Sequence, residues 1–406
     1  MIWHVVTGEY PPACGGVGDY TAEVARALAL AGDAVHVWVP GAEDPLASAA
    51  PPVASAPVAS VAAPVASAFR RKELETSVRV HELPDRFGRA SRRILAAAWR
   101  DTPGIVLLQY VPNALGARGA NLPFCRWLRR IHRRGADVRV MFHEPYFYFG
   151  LARPWRNVLA VVQRMMAATL LQSATRIYLS TETWKRYLAA VGVLPPVETL
   201  AIASSLPSAA PPAAIDRWRR AIAPEGVQIV GHFGTYGEHV AGELHAALPV
   251  LAERLPAIRF ALAGDGSVEF LEDMRQRNPR FAARAWASGR LEPEAVPAVL
   301  RACDVLLQPY PDGITTRRTS VMAGLKNGVA TVSTSGVLTE AIWNVTRAAA
   351  LAPAEDTSGL ADIVAALLSD PTARAALGSR GAYAYCQHFS IEHTVTALRA
   401  QPAGGS

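Results

Sequence analysis

Apolar residues fall in short continuous runs along this chain, separated by glycine-bearing turns and by stretches with helical spacing. Runs at 1–7, 35–39, 105–109, 138–142 and 176–180, and the more polar stretch 78–83, read as strands. Continuous apolar runs mark strands covered on both faces, as in a parallel sheet. Between them, residues 17–30, 124–134 and 159–171 place apolar side chains on one helical face. The pattern then restarts. Strands are expected at 227–233, 260–263, 285–287, 304–308 and 329–332. Helices are expected at 240–255 and 293–302, from Thr319 or Ser320 to Gly328, and at 357–368, 371–388 and 391–398. Strand alternating with helix, twice over, predicts an α/β protein with two parallel sheets.

At 406 residues the chain exceeds what one core usually holds. Proline clusters at 195–196, 207 and 211–212 mark a linker region at 193–212. Residues 41–68 are rich in Ala, Pro, Ser and Val and read as a low-complexity loop, closed by a solvated Arg70-Arg71-Lys72 cluster. Half of the residues are hydrophobic, yet no run approaches the ~18 residues a membrane helix needs. The N-terminus shows no basic leader. Cys14, Cys125, Cys303 and Cys386 have neither metal-ligand nor redox spacing, so reduced thiols and a cytoplasmic setting are expected. The net charge of +7 favours phosphate-bearing partners without choosing among them.

Candidate chemistry collects at strand ends. After the first strand, Pro11 and Pro12 impose an extended loop, and Gly15, Gly16 and Gly18 admit close backbone approach. Their spacing is not the dinucleotide fingerprint, which discounts nicotinamide and flavin. Residues 138–142 end in His143-Glu144-Pro145, where open α/β sheets bind ligands. The aromatic run 146–149 lines a pocket or covers core, with equal weight. The helix 124–134, with Arg126, Arg129, Arg130, Arg133 and Arg134, suits an anionic membrane or a solvated surface. In the second half, Asp312-Gly313, Arg317, Arg318 and a helix N-terminus converge at a strand end, an arrangement that favours anions. Either Thr319 or Ser320 is a candidate cap for that helix.

The order and spacing of Glu9-Tyr10-Pro11-Pro12, Gly15-Gly16-Val17-Gly18, His143-Glu144, Gly264-Asp265-Gly266 and the run 302–309 resemble the family 4 retaining glycosyltransferases. The resemblance implies the GT-B fold, two Rossmann-like parallel-sheet domains facing across a cleft. Residues 1–195 would bind the acceptor and 196–385 the nucleotide sugar, with 386–406 a C-terminal helix returning to the first domain. It implies no cofactor and no essential metal, only a nucleoside-diphosphate sugar as co-substrate. His143 and Asp312 would be catalytic. Gly15, Gly16, His232, Gly234, Thr235, Gly264, Asp265, Arg290, Leu291, Gly313, Thr316, Arg317, Arg318 and Ser320 would bind the donor. Asp19, Tyr20, Tyr110, Glu144 and Tyr146 would bind a glycan, lipid-linked or small-molecule acceptor, with peripheral membrane contact left open.

The chain also departs from that family. Asp312 and Ser320 stand where the family has two glutamates, and His232 and Gly237 where it has an arginine and a lysine facing the diphosphate. Arg317 and Arg318 are the nearest substitutes. A catalytically degenerate nucleotide- or partner-binding protein of the same fold therefore stays open. An epimerase would need an acid cluster that the sequence does not display, and no nucleic-acid reading motif is present.

Overall fold

The computed structural model describes residues 1–12, 16–41, 78–150 and 155–400, the side chain of Trp155 excepted. The chain divides into two units, Met1–Thr199 with the C-terminal residues from Ala397, and Leu200–Thr396. In the first unit, β1 (Ile2–Thr7), β2 (Ala34–Pro40), β3 (Val78–Leu83), β4 (Ile105–Tyr110), β5 (Val138–Phe142), β6 (Arg176–Leu179) and β7 (Val197–Thr199) form one sheet. Its strand order is β3-β2-β1-β4-β5-β6-β7. In the second, β8 (Ile229–Phe233), β9 (Arg259–Ala263), β10 (Ala285–Ala287), β11 (Val305–Gln308), β12 (Thr331–Ser335) and β13 (Ala350–Pro353) run in the order β10-β9-β8-β11-β12-β13. Both sheets are parallel. Each reverses its strand order beside its first strand, and crevices that bind ligands open at such reversals.

Helices cover both sheets, and each unit holds its own apolar core. Several were not expected from the sequence, among them Arg89–Asp101, Pro212–Ile222 and Ser267–Arg277. The first two are rich in Arg and Ala: their apolar residues do fall on one face, but that face holds few large apolar side chains among many charged ones. The division between the units, at Thr199 and Leu200, falls within the linker region expected at 193–212, although that region also contributes Val197–Thr199 as a seventh strand beside β6. Pro196 does not interrupt that ladder: it offers only its carbonyl, which accepts from Ile177 N at 2.9 Å.

The chain stays in the second unit past residue 386. Phe389 is buried and packs against Trp343 with ring centroids 5.4 Å apart. The helix Ile391–Arg399 crosses the division at Ala397. Its end is anchored in the first unit by Arg139, which is 2% exposed. That guanidinium donates to the carbonyls of Leu398 and Ala400 and pairs with Asp137 at 2.8 Å. A buried cation at a helix C-terminus satisfies the last carbonyls and complements the dipole. No described helix is long and apolar enough to cross a membrane.

At the first unit's sheet edge, His36 stacks with His4 and His81 on the neighbouring strands, and both of these stack with Trp38. Burial lowers the pKa of all three, and their mutual repulsion with Arg79 lowers His36 and His81 further. They take up protons at lower pH in the fold than in the unfolded chain, where histidine protonates below about pH 6.5. Stability is therefore full above that pH and falls as pH drops below it. Melting temperatures between about pH 7 and 5 are expected to fall steeply in the wild type and less steeply in a His36→Gln/His81→Gln variant; parallel curves would refute this.

Candidate functional site

The carboxyl ends of β8 to β11 enclose a cavity of about 400 Å³, a size that suits a small-molecule site. Three glycine loops build its floor and are stitched to one another. Gly234 N donates to Ala263 O at 3.1 Å, and Gly264 N donates to Ser288 Oγ at 3.1 Å. Gly289 N in turn donates to Ser267 Oγ at 2.9 Å. Gly264 has φ +113°, and a Cβ there would collide with the Gly234 carbonyl oxygen. Gln308 Nε2, at the end of β11, donates to Phe233 O at 3.0 Å and ties that strand to the same floor.

Arg290, Arg317 and Arg318 also line the cavity, so its rim is cationic. The Arg318 guanidinium lies 4.2 Å from the Tyr310 ring centroid, and its Nε has no hydrogen-bond partner among the described residues. Burial lowers its pKa and Arg317 adds to the lowering, but an arginine so shifted stays charged. The helix Thr319–Lys326 starts here with Arg318 as N-cap and no side-chain cap bond. The capping expected of Thr319 or Ser320 is thus corrected: the Ser320 hydroxyl is 2.8 Å from Tyr310 OH instead. Facing these groups at the end of β8, His232 is 3% exposed, and its Nδ1 lies 2.8 Å from Leu307 O.

The structure brings His232, Gly234, Thr235, Gly264, Asp265, Arg290, Leu291, Arg317, Arg318 and Ser320 together around this cavity. Thr316 and Gly313 are not among its lining residues. Thr316 N and Oγ1 both donate at 2.6 Å to the buried carboxylate of Glu340, which also accepts from Trp343 Nε1. Gly313, with φ +89°, makes a turn packed against Gly336 and Thr339. Both residues brace the loop that carries Arg317 and Arg318. Asp312 is exposed at the start of that loop, and its charge is felt by Arg318 and by Glu243. Burial first, and then Asp312, raises the pKa of Glu243. Sequence reading missed Glu243 because it is one polar position among several on a helix. It also missed Ser204, Ser205 and Leu206, which line the cavity from what reads as linker. Lys326 Nζ holds that segment through the carbonyls of Ser204 and Leu206, at 3.2 and 2.6 Å.

In the first unit His143 sits at the end of β5, 5% exposed, with Nε2 2.7 Å from Gln109 Oε1. Its carbonyl accepts from Trp184 Nε1 at 2.9 Å and from Ser180 Oγ at 3.2 Å. Both donors lie within the fold and hold the end of β5 in place. Tyr20 meets the His143 ring edge-on at 5.4 Å. Tyr110 is fully buried against Phe142, which makes it a core residue and corrects its expected acceptor contact. Tyr146 is 7% exposed and donates to Tyr187 O at 2.7 Å, with Arg164 over its ring, so it too is held within the fold. Asp19 is exposed on the helix Gly16–Leu30, and Glu144 is half-buried. Gly15, Cys14, Arg70-Arg71-Lys72 and most of the low-complexity loop lie outside the described residues. Among the described residues no group of three or more His, Cys, Asp or Glu could hold a metal ion.

Residues 226–370 match the family model described as Glycosyl transferases group 1. That stretch holds every cavity-lining residue except Ser204, Ser205 and Leu206. No curated protein sequence matches the chain. Among solved structures, the chain is similar to sucrose-phosphate synthase from Thermosynechococcus elongatus, at 15% identity and a TM-score of 0.67, over 98% of this chain and 97% of that one. Anabaena HepE in complex with UDP is similar at 15% identity and a TM-score of 0.65, over 98% of each chain. A glycosyltransferase from Rickettsia africae is similar at 12% identity and a TM-score of 0.65, over 98% of this chain and 96% of that one. These likenesses establish the fold: two Rossmann-like α/β units of the GT-B type.

Proposed function

We propose that this protein is a retaining, metal-independent glycosyltransferase that moves a sugar from a nucleoside-diphosphate sugar to an acceptor hydroxyl. One observation carries the reading: the cavity at the carboxyl ends of β8 to β11, rimmed by three arginines, lies almost wholly within the matched glycosyltransferase stretch. Amides of glycine loops and guanidinium forks both suit phosphate oxygens. The acceptor oxygen attacks the anomeric carbon on the face that the diphosphate leaves. The bond from that carbon to the phosphate oxygen breaks with its electron pair going to phosphate, and the acceptor proton passes to the departing phosphate. Charge grows on the leaving group, and Arg317 and Arg318 stabilise it without a metal. Asp312 contacts the sugar, and acceptor recognition falls to the first unit near Asp19.

UDP, GDP, dTDP and ADP at a hundred times Kd should distinguish themselves in thermal unfolding, the cognate one stabilising the fold by about 2.7 kcal/mol. Release of that diphosphate from its sugar nucleotide in the presence of acceptor, with an α-configured product from an α-configured donor, is the expected outcome. An inverted product would refute retention. Binding without turnover on any acceptor would favour a degenerate binding protein, a reading to which His232 in place of a family arginine lends weight.

A further inference from the structure

The floor of the cavity differs in chemistry from its rim. The Leu307 carbonyl, 2.8 Å from His232 Nδ1, can only accept, so Nδ1 carries the ring proton. Nε2 is then a bare lone pair, and no described residue offers it a donor. Burial holds the imidazole's pKa at about 4, so the ring is neutral near pH 7. Arg290, Arg317 and Arg318 line the same space and oppose a further positive charge, while Asp265 is the carboxylate among the lining residues. Tyr236 packs edge-on at 5.2 Å, and burial raises the pKa of both Tyr236 and Tyr310, which keeps them neutral. Nε2 itself has almost no exposed surface and lies just beneath the cavity wall, beside the backbone of Gly234. A Cβ on Gly234 would lie 3.7 Å from Nε2 and 3.9 Å from Ser320 Oγ, and glycine leaves that place empty.

A buried acceptor without a donor is unfavourable, and a phosphate oxygen brought to it would set lone pair against lone pair. We propose that His232 is a specificity-determining residue whose neutral Nε2 accepts a hydrogen bond from a hydroxyl or N–H of the sugar nucleotide. The cavity floor thus takes an uncharged donor group, and the diphosphate lies at the arginine rim. This assignment rests on the sugar-nucleotide reading above.

The test uses the full chain with UDP-glucose, GDP-mannose, ADP-glucose and dTDP-glucose, whose diphosphates do not titrate near neutrality. His232→Asn keeps an N–H for Leu307 and removes the atom at the Nε2 position. The variant is expected to melt near the wild type and to bind the cognate sugar nucleotide about tenfold more weakly. With the matching nucleoside diphosphate, the same loss places the ligand's donor group on the nucleoside; no loss places it on the sugar. Wild-type affinity is expected to stay flat between about pH 6 and 8, with calorimetric heats independent of buffer ionisation enthalpy. Equal binding by wild type and His232→Asn overturns the assignment. So does proton uptake on binding to the wild type, which would make His232 a cation toward phosphate; this arm needs no variant and stands even if His232→Asn folds poorly. Wild-type binding of none of the four probes is a different failure, that of the sugar-nucleotide reading, and removes this assignment with it.

Discussion

Replacing Arg317 and Arg318 together by alanine is expected to lower kcat/KM by about a thousandfold or more while leaving the melting temperature nearly unchanged. Each guanidinium faces a cavity in which a diphosphate would gain charge as its bond to the sugar breaks. Removing a single pre-positioned donor from such a site typically costs about 10²-fold or more in turnover. Stability responds differently. Arg318 carries a buried Nε without a hydrogen-bond partner among the described residues, so its removal relieves a desolvated group, against the loss of its contact with Tyr310. Lysine at either position should recover only part of the activity, because a point charge does not replace a planar fork. The measurement is steady-state release of nucleoside diphosphate beside a thermal melt of each variant. Near-normal kinetics in both Arg317→Ala and Arg318→Ala would take these residues out of the diphosphate site.

The two parallel sheets were legible because buried parallel strands leave continuous apolar runs, and strand ends were legible because glycine and proline stop those runs. Gly234, Gly264 and Arg290 lie at strand ends so marked, and the family resemblance assigned them to the donor. Side-chain direction was not legible on strands covered on both faces. Gln109 and Tyr110 are adjacent on β4 and alternate across the sheet. Gln109 meets His143, while Tyr110 packs against Phe142 in the core. A doubly covered strand gives no polar face to break that tie. Long-range partners were equally hidden: Thr316 reads as a loop hydroxyl until Glu340 arrives from 24 residues away. Ser320 reads as a cap by local rules, but Tyr310 claims its hydroxyl.

The second large effect is expected from Gly264→Ala, which should destabilise the second unit by about 3 kcal/mol or more and weaken donor binding. Its φ of +113° is a conformation L side chains rarely adopt, and its Cβ would meet the Gly234 carbonyl oxygen, which is backbone and does not rotate away. Relief requires the loops after β8 and β9 to separate. The bond from Gly234 N to Ala263 O that joins those loops would then stretch, and the floor beneath His232 and Asp265 would open. Gly242→Ala provides the contrast. Gly242 lies inside the helix Glu238–Arg254, and a Cβ there meets nothing within 4 Å. That change should stabilise by about 0.5–1 kcal/mol through the helix preference alone and leave donor affinity intact. Paired thermal melts and nucleotide titrations separate the two glycines. A Gly264→Ala protein with wild-type melting temperature and wild-type affinity would mean that the floor tolerates separation of its loops, and that the close approach of Gly264 to Gly234 does not set the shape of the donor site.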